Sequence, residues 1–120
     1  MTAPELRKLC LGLSGAREEF PFRPELSVFK VGGKIFALSA LPEQPLRLSI
    51  KCEPGLGEQL RATYPSIVPG YHLNKRHWIT ITADGSVPDT LVADLVTESY
   101  HIVAAALPRA TKSALGLLST

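Results

Sequence analysis

The 120-residue chain lacks the features that mark several classes of protein. It has only two cysteines, Cys10 and Cys52, which form no metal-type spacing, and its apolar runs are interrupted by charged residues before they could span a membrane. The first ten residues contain no apolar stretch typical of a secretory signal. We therefore expect a cytoplasmic protein with two reduced thiols, with a disulfide as the alternative, and no membrane partner.

Sequence motifs of catalysis and cofactor binding are also missing. The chain contains no G-x-S-x-G elbow, no Walker loop and no G-x-G-x-x-G fingerprint. His72 and His77 are five residues apart, so on one strand they would face opposite sides and could not share a metal ion. We expect no catalytic residues, no cofactor and no metal site, and we predict that the protein is not an enzyme.

Charge is distributed unevenly along the chain, although the net charge is only +2. Residues 30–76 carry seven basic and three acidic side chains, whereas residues 77–108 carry four acidic side chains and no lysine or arginine. Such a distribution predicts a basic middle region and an acidic late helix, which matters more for the choice of partners than the total charge does.

Hydrophobic periodicity predicts an α+β fold in a single domain covering residues 1–120. Helical stripes alternate with runs of period two, and the Gly32-Gly33 pair suits a tight hairpin turn. This order predicts a two-layer sandwich, an antiparallel sheet with helices packed on one face. We expect helices over 3–13, 55–64 and from about 88 to 107, the last with a Ser86 cap. We expect strands on both sides of the Gly32-Gly33 pair and over 45–53 and 77–82. The remaining segments are predicted as a loop or edge strand over 66–73 and a loose tail over about 109–120.

Strand parity divides the residues of "HWITIT" between two faces. Ile79 and Ile81 point to the core, so Trp78 and Thr80 point the other way. In the strand over 45–53 the same alternation places Arg47 and Lys51 on that outer face. An aromatic ring among cations and hydroxyls is typical of a nucleic-acid surface. The alternative is a structural Trp78 covered by a loop or by the segment 20–25, since single tryptophans are usually largely buried.

Four blocks, "KIFAL", "LSIKCEP", "PGYHLNKRHWITI" and "VPDTLVADLVTESYHIV", together resemble the MmcQ/YjbR family of small bacterial proteins. The resemblance covers nearly the whole chain and implies a CyaY/frataxin-like fold. It also implies DNA binding through a double-wing arrangement of hairpins, here the Gly32-Gly33 hairpin and the region 71–78. The first helix lacks the acidic ridge of a frataxin iron site, so we do not expect iron binding. The family motif residues carried over are Lys51, His72, Asn74, Lys75 and Trp78.

Three functions compete at this stage. The first is DNA binding; the second is a protein-interaction module anchored by Tyr71, Arg76 and Trp78. The third is a small-molecule or anion site around His72, Asn74, Lys75 and Lys51. We favour DNA binding by a monomer, while a protein partner stays open. The expected nucleic-acid site consists of Lys30, Lys34, Lys51, His72, Asn74, Lys75, Arg76 and Trp78.

Overall fold

The computed structural model describes residues 1–70 and 73–118 and confirms the α+β fold class. Within these residues it has four helices and a six-stranded antiparallel sheet. The helices are α1 (Ala3–Leu11), α2 (Pro54–Thr63), α3 (Asp89–Ala105) and α4 (Arg109–Ala114). The strands are β1 (Arg17–Glu19), β2 (Ser27–Val31), β3 (Lys34–Ser39), β4 (Arg47–Lys51), β5 (Ile67–Pro69) and β6 (Trp78–Thr82).

Side chains near the helix starts explain where α1 and α2 begin. Thr2 and Glu5 form a reciprocal capping box at the start of α1, in which each side chain accepts a hydrogen bond from the other's backbone N–H. At α2, the carboxylate of Glu53 accepts hydrogen bonds from two backbone N–H groups. The predicted Ser86 cap of α3 is wrong: that helix follows Pro88 without a side-chain cap, because the Ser86 hydroxyl is bonded to Asp84 instead.

The strands lie in the order β1-β2-β3-β4-β6-β5, and every neighbouring pair is antiparallel. The tight β2–β3 hairpin is confirmed, with Gly32 at φ 57° and Gly33 at φ 78°. A side chain at Gly32 would also approach within 2.6 Å of Leu107 beyond the end of α3, so this turn needs glycine for space as well as for conformation. The hairpin is therefore fixed against the end of α3.

One face of the sheet and the first three helices enclose the hydrophobic core. The inner face contributes Phe29, Leu48, Ile50, Ile79 and Ile81, each at most 1% exposed. The helices contribute a smaller set of buried side chains to the same cluster, including Leu6 and Cys10 from α1, Leu60 from α2, and Val92, Val96 and Val103 from α3. Helices thus cover one face of the sheet, as the sequence predicts.

The buried hydroxyl of Ser99 in α3 joins β3 and β4 beyond the last residues that pair. Pairing between these strands covers only Ala37 with Ile50 and Leu38 with Ser49. Past this point the Ser99 hydroxyl accepts a hydrogen bond from the Lys51 N–H at 2.8 Å and donates one to the Phe36 carbonyl at 2.6 Å. The Ser99 hydroxyl thus provides partners for two backbone groups of the separating strands. The strands can therefore separate without leaving a buried N–H or C=O group unpaired.

Two elements differ from the sequence-based prediction. Strand β1 pairs with β2 in a segment for which the sequence predicts no strand. Helix α4 lies in the segment predicted as a loose tail, and the partly buried Leu115 and Leu117 after it pack against the core. The chain beyond Pro108 therefore covers part of the core as far as Leu117.

Candidate functional site

The register of β4 and β6 confirms the predicted outer face. Lys51 pairs with Trp78, and Ser49 pairs with Thr80. The hydroxyls of Ser49 and Thr80 are 2.8 Å apart and hydrogen-bonded, and Thr80 is only 6% exposed. The outer face is therefore polar, but its middle is not fully open to solvent.

Three of the predicted basic residues and Trp78 line one cleft at the end of the sheet, where β3 and β4 separate. The cleft has a volume of 540 Å³. Strands β2, β3, β4 and β6 bring in the polar and aromatic groups, while residues at the end of α3 form an apolar wall. We call this the basic cleft, and its main lining residues are Lys30, Lys34, Lys51, Trp78, Ala106 and Leu107.

The lysines of the basic cleft differ in their surroundings. Lys30 is paired with Glu19 of β1 at 3.1 Å, so part of its charge is already neutralised. Lys34 is exposed and Lys51 is half-buried, and neither forms an ion pair with any residue that the structure describes. Lys34 and Lys51 are therefore the two cations of the cleft available to an incoming anion.

Trp78 is half-buried, between the exposed and covered alternatives considered from the sequence. Gly70 packs on its backbone: the Gly70 N–H donates to the Trp78 carbonyl at 2.8 Å, and a Cβ at Gly70 would lie 2.6 Å from the Trp78 Cβ. The close approach of this glycine fixes the main chain of Trp78, while its side chain still lines the basic cleft. Part of the ring is thus accessible from a positively charged recess.

The loop before Trp78 places further predicted residues at the surface. Asn74, Lys75 and Arg76 are exposed, and the Asn74 side chain accepts a hydrogen bond from the Arg76 N–H at 3.0 Å. The Trp78 N–H donates to the Asn74 carbonyl at 3.0 Å, which fixes the loop to the start of β6. Lys75 and Arg76 thus add two exposed cations near the start of β6, but none of the three residues lines the basic cleft. His72 lies outside the described residues.

A second cleft lies on the outer face of the sheet and was not predicted from the sequence. It has a volume of 490 Å³, and its floor is formed by β3, β4 and β6. Its walls come from the segments 22–26 and 40–45 and from Leu73, which are all irregular chain. We call it the outer-face pocket, and its lining includes Phe22, Leu26, Leu38, Arg47, Ser49 and Thr80.

Both cysteines are buried and free. Burial, and secondarily the nearby carboxylate of Glu18, raises the pKa of the Cys10 thiol to about 12, and burial is the main cause of a raised pKa at Cys52. Because the thiolate is the reactive form, neither thiol suits a nucleophilic role near neutral pH. Within residues 1–70 and 73–118, no three His, Cys, Asp or Glu side chains are grouped closely enough to hold a metal ion.

Comparison with known proteins identifies the family. The YjbR family model matches residues 11–102. The chain belongs to the YjbR family. It is 34% identical over 115 residues to the uncharacterised protein YjbR of Escherichia coli K12, covering 96% of this chain and 98% of that protein. It is 38% identical over 97 residues to the uncharacterised protein YbdF of Escherichia coli O157:H7, covering 81% and 80% of the two chains.

Solved structures of similar proteins have the same architecture. The crystal structure of Deinococcus radiodurans protein DR2400 superposes with a TM-score of 0.91 at 45% identity, covering 98% of this chain and 89% of that one. A crystal structure of a Pseudomonas syringae protein gives a TM-score of 0.74 at 24% identity, over 86% and 99% of the two chains, and supports the fold alone. No helix in the described part of this YjbR-family chain is long and apolar enough to cross a membrane.

Proposed function

We propose that this YjbR-family protein binds DNA through the basic cleft and the adjoining loop 74–76, without catalysing a reaction. The observation that carries the proposal is that residues distant in sequence, Lys34, Lys51 and Trp78, line one recess. Lysines neutralise phosphates whatever the base sequence, and an aromatic ring beside them can stack on an unpaired base. A partly exposed tryptophan in a recess suits a single strand or a chain end better than a continuous duplex.

The proposal includes the finer structural description implied by the family resemblance. In this view the fold is CyaY/frataxin-like, the β2–β3 hairpin is one wing of a double wing, and the 74–76 loop belongs to the other. Lys30 and Lys34 stand on either side of the hairpin turn, which supports a role in contacting a phosphate backbone. The protein would act as a monomer in the cytoplasm.

Acidic groups limit the expected affinity. Lys51 also lines a neighbouring cleft that contains Asp94 and Glu98 of α3. These carboxylates compete with a phosphate for Lys51, so binding should be modest and strongly salt-dependent. If the described cations contact about four phosphates, the logarithm of affinity should fall by about 3 to 4 per tenfold rise in salt.

The fluorescence of Trp78 tests the proposal, because it is the only tryptophan of the chain. We expect a short single-stranded oligonucleotide to quench the emission, with a weaker effect at moderate salt than at low salt. The double variant Lys34→Gln with Lys51→Gln should lose most of the binding. Lys8→Gln changes an exposed lysine of α1 outside the basic cleft and should bind as the unaltered protein does.

Two results would reject DNA binding at this site. One is the absence of any salt-dependent change in Trp78 emission with single- or double-stranded DNA. The other is binding that the double variant retains in full, because the phosphates would then be held elsewhere. A Trp78 emission that responds to a protein partner but not to salt would instead support the interaction-module alternative.

A further inference from the structure

The outer-face pocket has the composition of a small-molecule site rather than of a nucleic-acid surface. Its lining is mostly apolar, and it is more enclosed than the basic cleft. A volume of 490 Å³ lies within the range of about 300 to 1,000 Å³ that ligand pockets occupy. An apolar recess with a few polar groups at fixed places is the usual form of a site for a small organic molecule.

One apolar side chain of the pocket, Phe22, is much more exposed than a packed core residue would be. Phe22 is 66% exposed although it is a large hydrophobic side chain, and it stands at the wall of the pocket. Leu26, which is half-buried, and Leu38, which is 9% exposed, continue the apolar lining. Covering such a surface with an apolar ligand removes it from water, which stabilises the complex.

The charges at the pocket leave a single positive group without a described partner. Arg23 is paired with Glu25 at 3.5 Å and with Glu43 at 3.3 Å, so its charge is more than neutralised by these two carboxylates. Arg47 lines the pocket and forms no ion pair with any residue in the described ranges. One available guanidinium favours one negative charge, and its planar pair of donors matches a carboxylate.

A hydroxyl pair lies on the floor near Arg47. Ser49 lies two residues from Arg47 on the same face of β4, and its hydroxyl is bonded to that of Thr80 at 2.8 Å. A hydroxyl has one donor and two acceptor sites, so Ser49 can form a second hydrogen bond in addition to this one. Arg47, Ser49 and Thr80 thus lie together on the floor formed by β4 and β6, while Phe22 and Leu26 lie on the wall formed by segment 22–26 and Leu38 lies on the β3 part of the floor.

We infer that the outer-face pocket binds a small amphipathic carboxylate. Arg47 and Ser49 would hold the carboxylate, and Phe22, Leu26 and Leu38 would cover the apolar body. This inference does not rest on DNA binding, because neither Arg47 nor Ser49 lines the basic cleft.

Sodium octanoate is the probe for this site, with 1-octanol and octylamine as probes of the same chain length and different charge. We expect octanoate to bind most tightly and to shift the amide NMR signals of Leu38, Ser49 and Thr80. Arg47→Gln should weaken octanoate binding about tenfold or more, because a charge-assisted hydrogen bond is lost, and should bring it to the level of octanol. Phe22→Ala should weaken octanoate and octanol alike.

Arg109→Gln is the matched control, since it removes an exposed arginine of α4 outside the pocket, and it should leave octanoate binding unchanged. The inference is overturned if octanoate shifts no signals on the pocket floor or if octylamine binds as tightly. It is also overturned if Arg47→Gln binds octanoate like the unaltered protein. Each variant's amide spectrum verifies its fold, and DNA titration of Arg47→Gln separates this site from the basic cleft.

Discussion

Side chains alternate between the two faces of β4 and β6, and the two faces have different surroundings. On the inner face, Leu48, Ile50, Ile79 and Ile81 are each at most 1% exposed and belong to one continuous core. On the outer face the side chains separate according to their position along the strands. Arg47, Ser49 and Thr80 line the outer-face pocket, whereas Lys51 and Trp78 line the basic cleft.

This comparison shows what decides the function of a polar sheet face. Parity assigns a residue to a face, but the loops and helix ends beyond the strands decide which cleft it lines. Segments 22–26 and 40–45 enclose the end of β4 that carries Arg47, and the end of α3 encloses the end that carries Lys51. Two neighbouring cations of the same strand thereby acquire different surroundings.

Substitution of adjacent residues on opposite faces should give the largest contrast. Ile50→Ala leaves a cavity in a fully buried site and should lower the free energy of unfolding by about 2 to 5 kcal/mol. Ser49→Ala removes only the hydrogen bond to Thr80 and should cost about 1 kcal/mol. Urea unfolding of both variants measures the difference, and equal losses would contradict the division of the strand into core and ligand-facing sides.

Removal of the Ser99 hydroxyl should have the next largest effect. Ser99→Ala leaves the buried Lys51 N–H and Phe36 carbonyl without their partner, which should cost about 1 to 3 kcal/mol. The Lys51 amide should then exchange faster with solvent in hydrogen-exchange NMR. Thr97→Ala, which removes a half-buried hydroxyl bonded within α3, is the control and should leave that amide protected. Unchanged exchange at Lys51 in Ser99→Ala would show that the hydroxyl does not hold the strands there.

The two ends of β4 should respond to different ligands. Lys51→Gln should weaken DNA binding and reduce the salt slope by about 0.7 for a single strand or 0.9 for a duplex, the share of one phosphate contact, with octanoate binding unaffected. Arg47→Gln should weaken octanoate binding and leave both the DNA affinity and its salt slope unchanged. Fluorescence titration with DNA and calorimetry with octanoate measure both variants on both ligands. If Arg47→Gln lowered DNA affinity as much as Lys51→Gln does, the outer face would be one site and the division into two clefts would be wrong.

Much of the fold is predictable from the sequence, because burial of one face of a strand or helix makes apolar residues recur at regular spacings along the chain. The alternation around Ile79 and Ile81 predicts the inner face of β6, and the structure confirms it. The Gly32-Gly33 turn is a local pattern with its own geometry and is confirmed. The capping box formed by Thr2 and Glu5 is also a local pattern of this kind. The patterns that predict these features each involve only a few residues close together in sequence.

Other features depend on distant partners and could not be predicted in this way. Strand β1 has no alternating apolar pattern; it is held by tertiary contacts of Glu18, which accepts hydrogen bonds from Arg7 and Ser27, both at 2.8 Å. Helix α4 is too short to show a period and follows a proline. The outer-face pocket could not be predicted either, because irregular segments form its walls and no periodic sequence pattern indicates where such segments lie. Strand parity places Arg47 on the outer face, and this feature of the pocket is one that the sequence predicts.

The turn after β6, away from both clefts, should give the smallest effect and a specific pH dependence. The carboxylate of Asp84 accepts hydrogen bonds from the hydroxyls of Ser66 and Ser86 and from the Ser86 N–H, which lower its pKa to about 2 from an ordinary value of 3.8. A lowered folded-state pKa stabilises the protein fully above pH 3.8, and this contribution is lost as the pH falls toward 2. Asp84→Asn should therefore be slightly less stable than the unaltered protein at neutral pH. In urea unfolding at a series of pH values, the difference between the two proteins should shrink below about pH 4. A difference that stayed constant down to about pH 2 would mean that the Ser66 and Ser86 hydroxyls do not favour the ionised carboxylate, and that the turn is stabilised by shape alone.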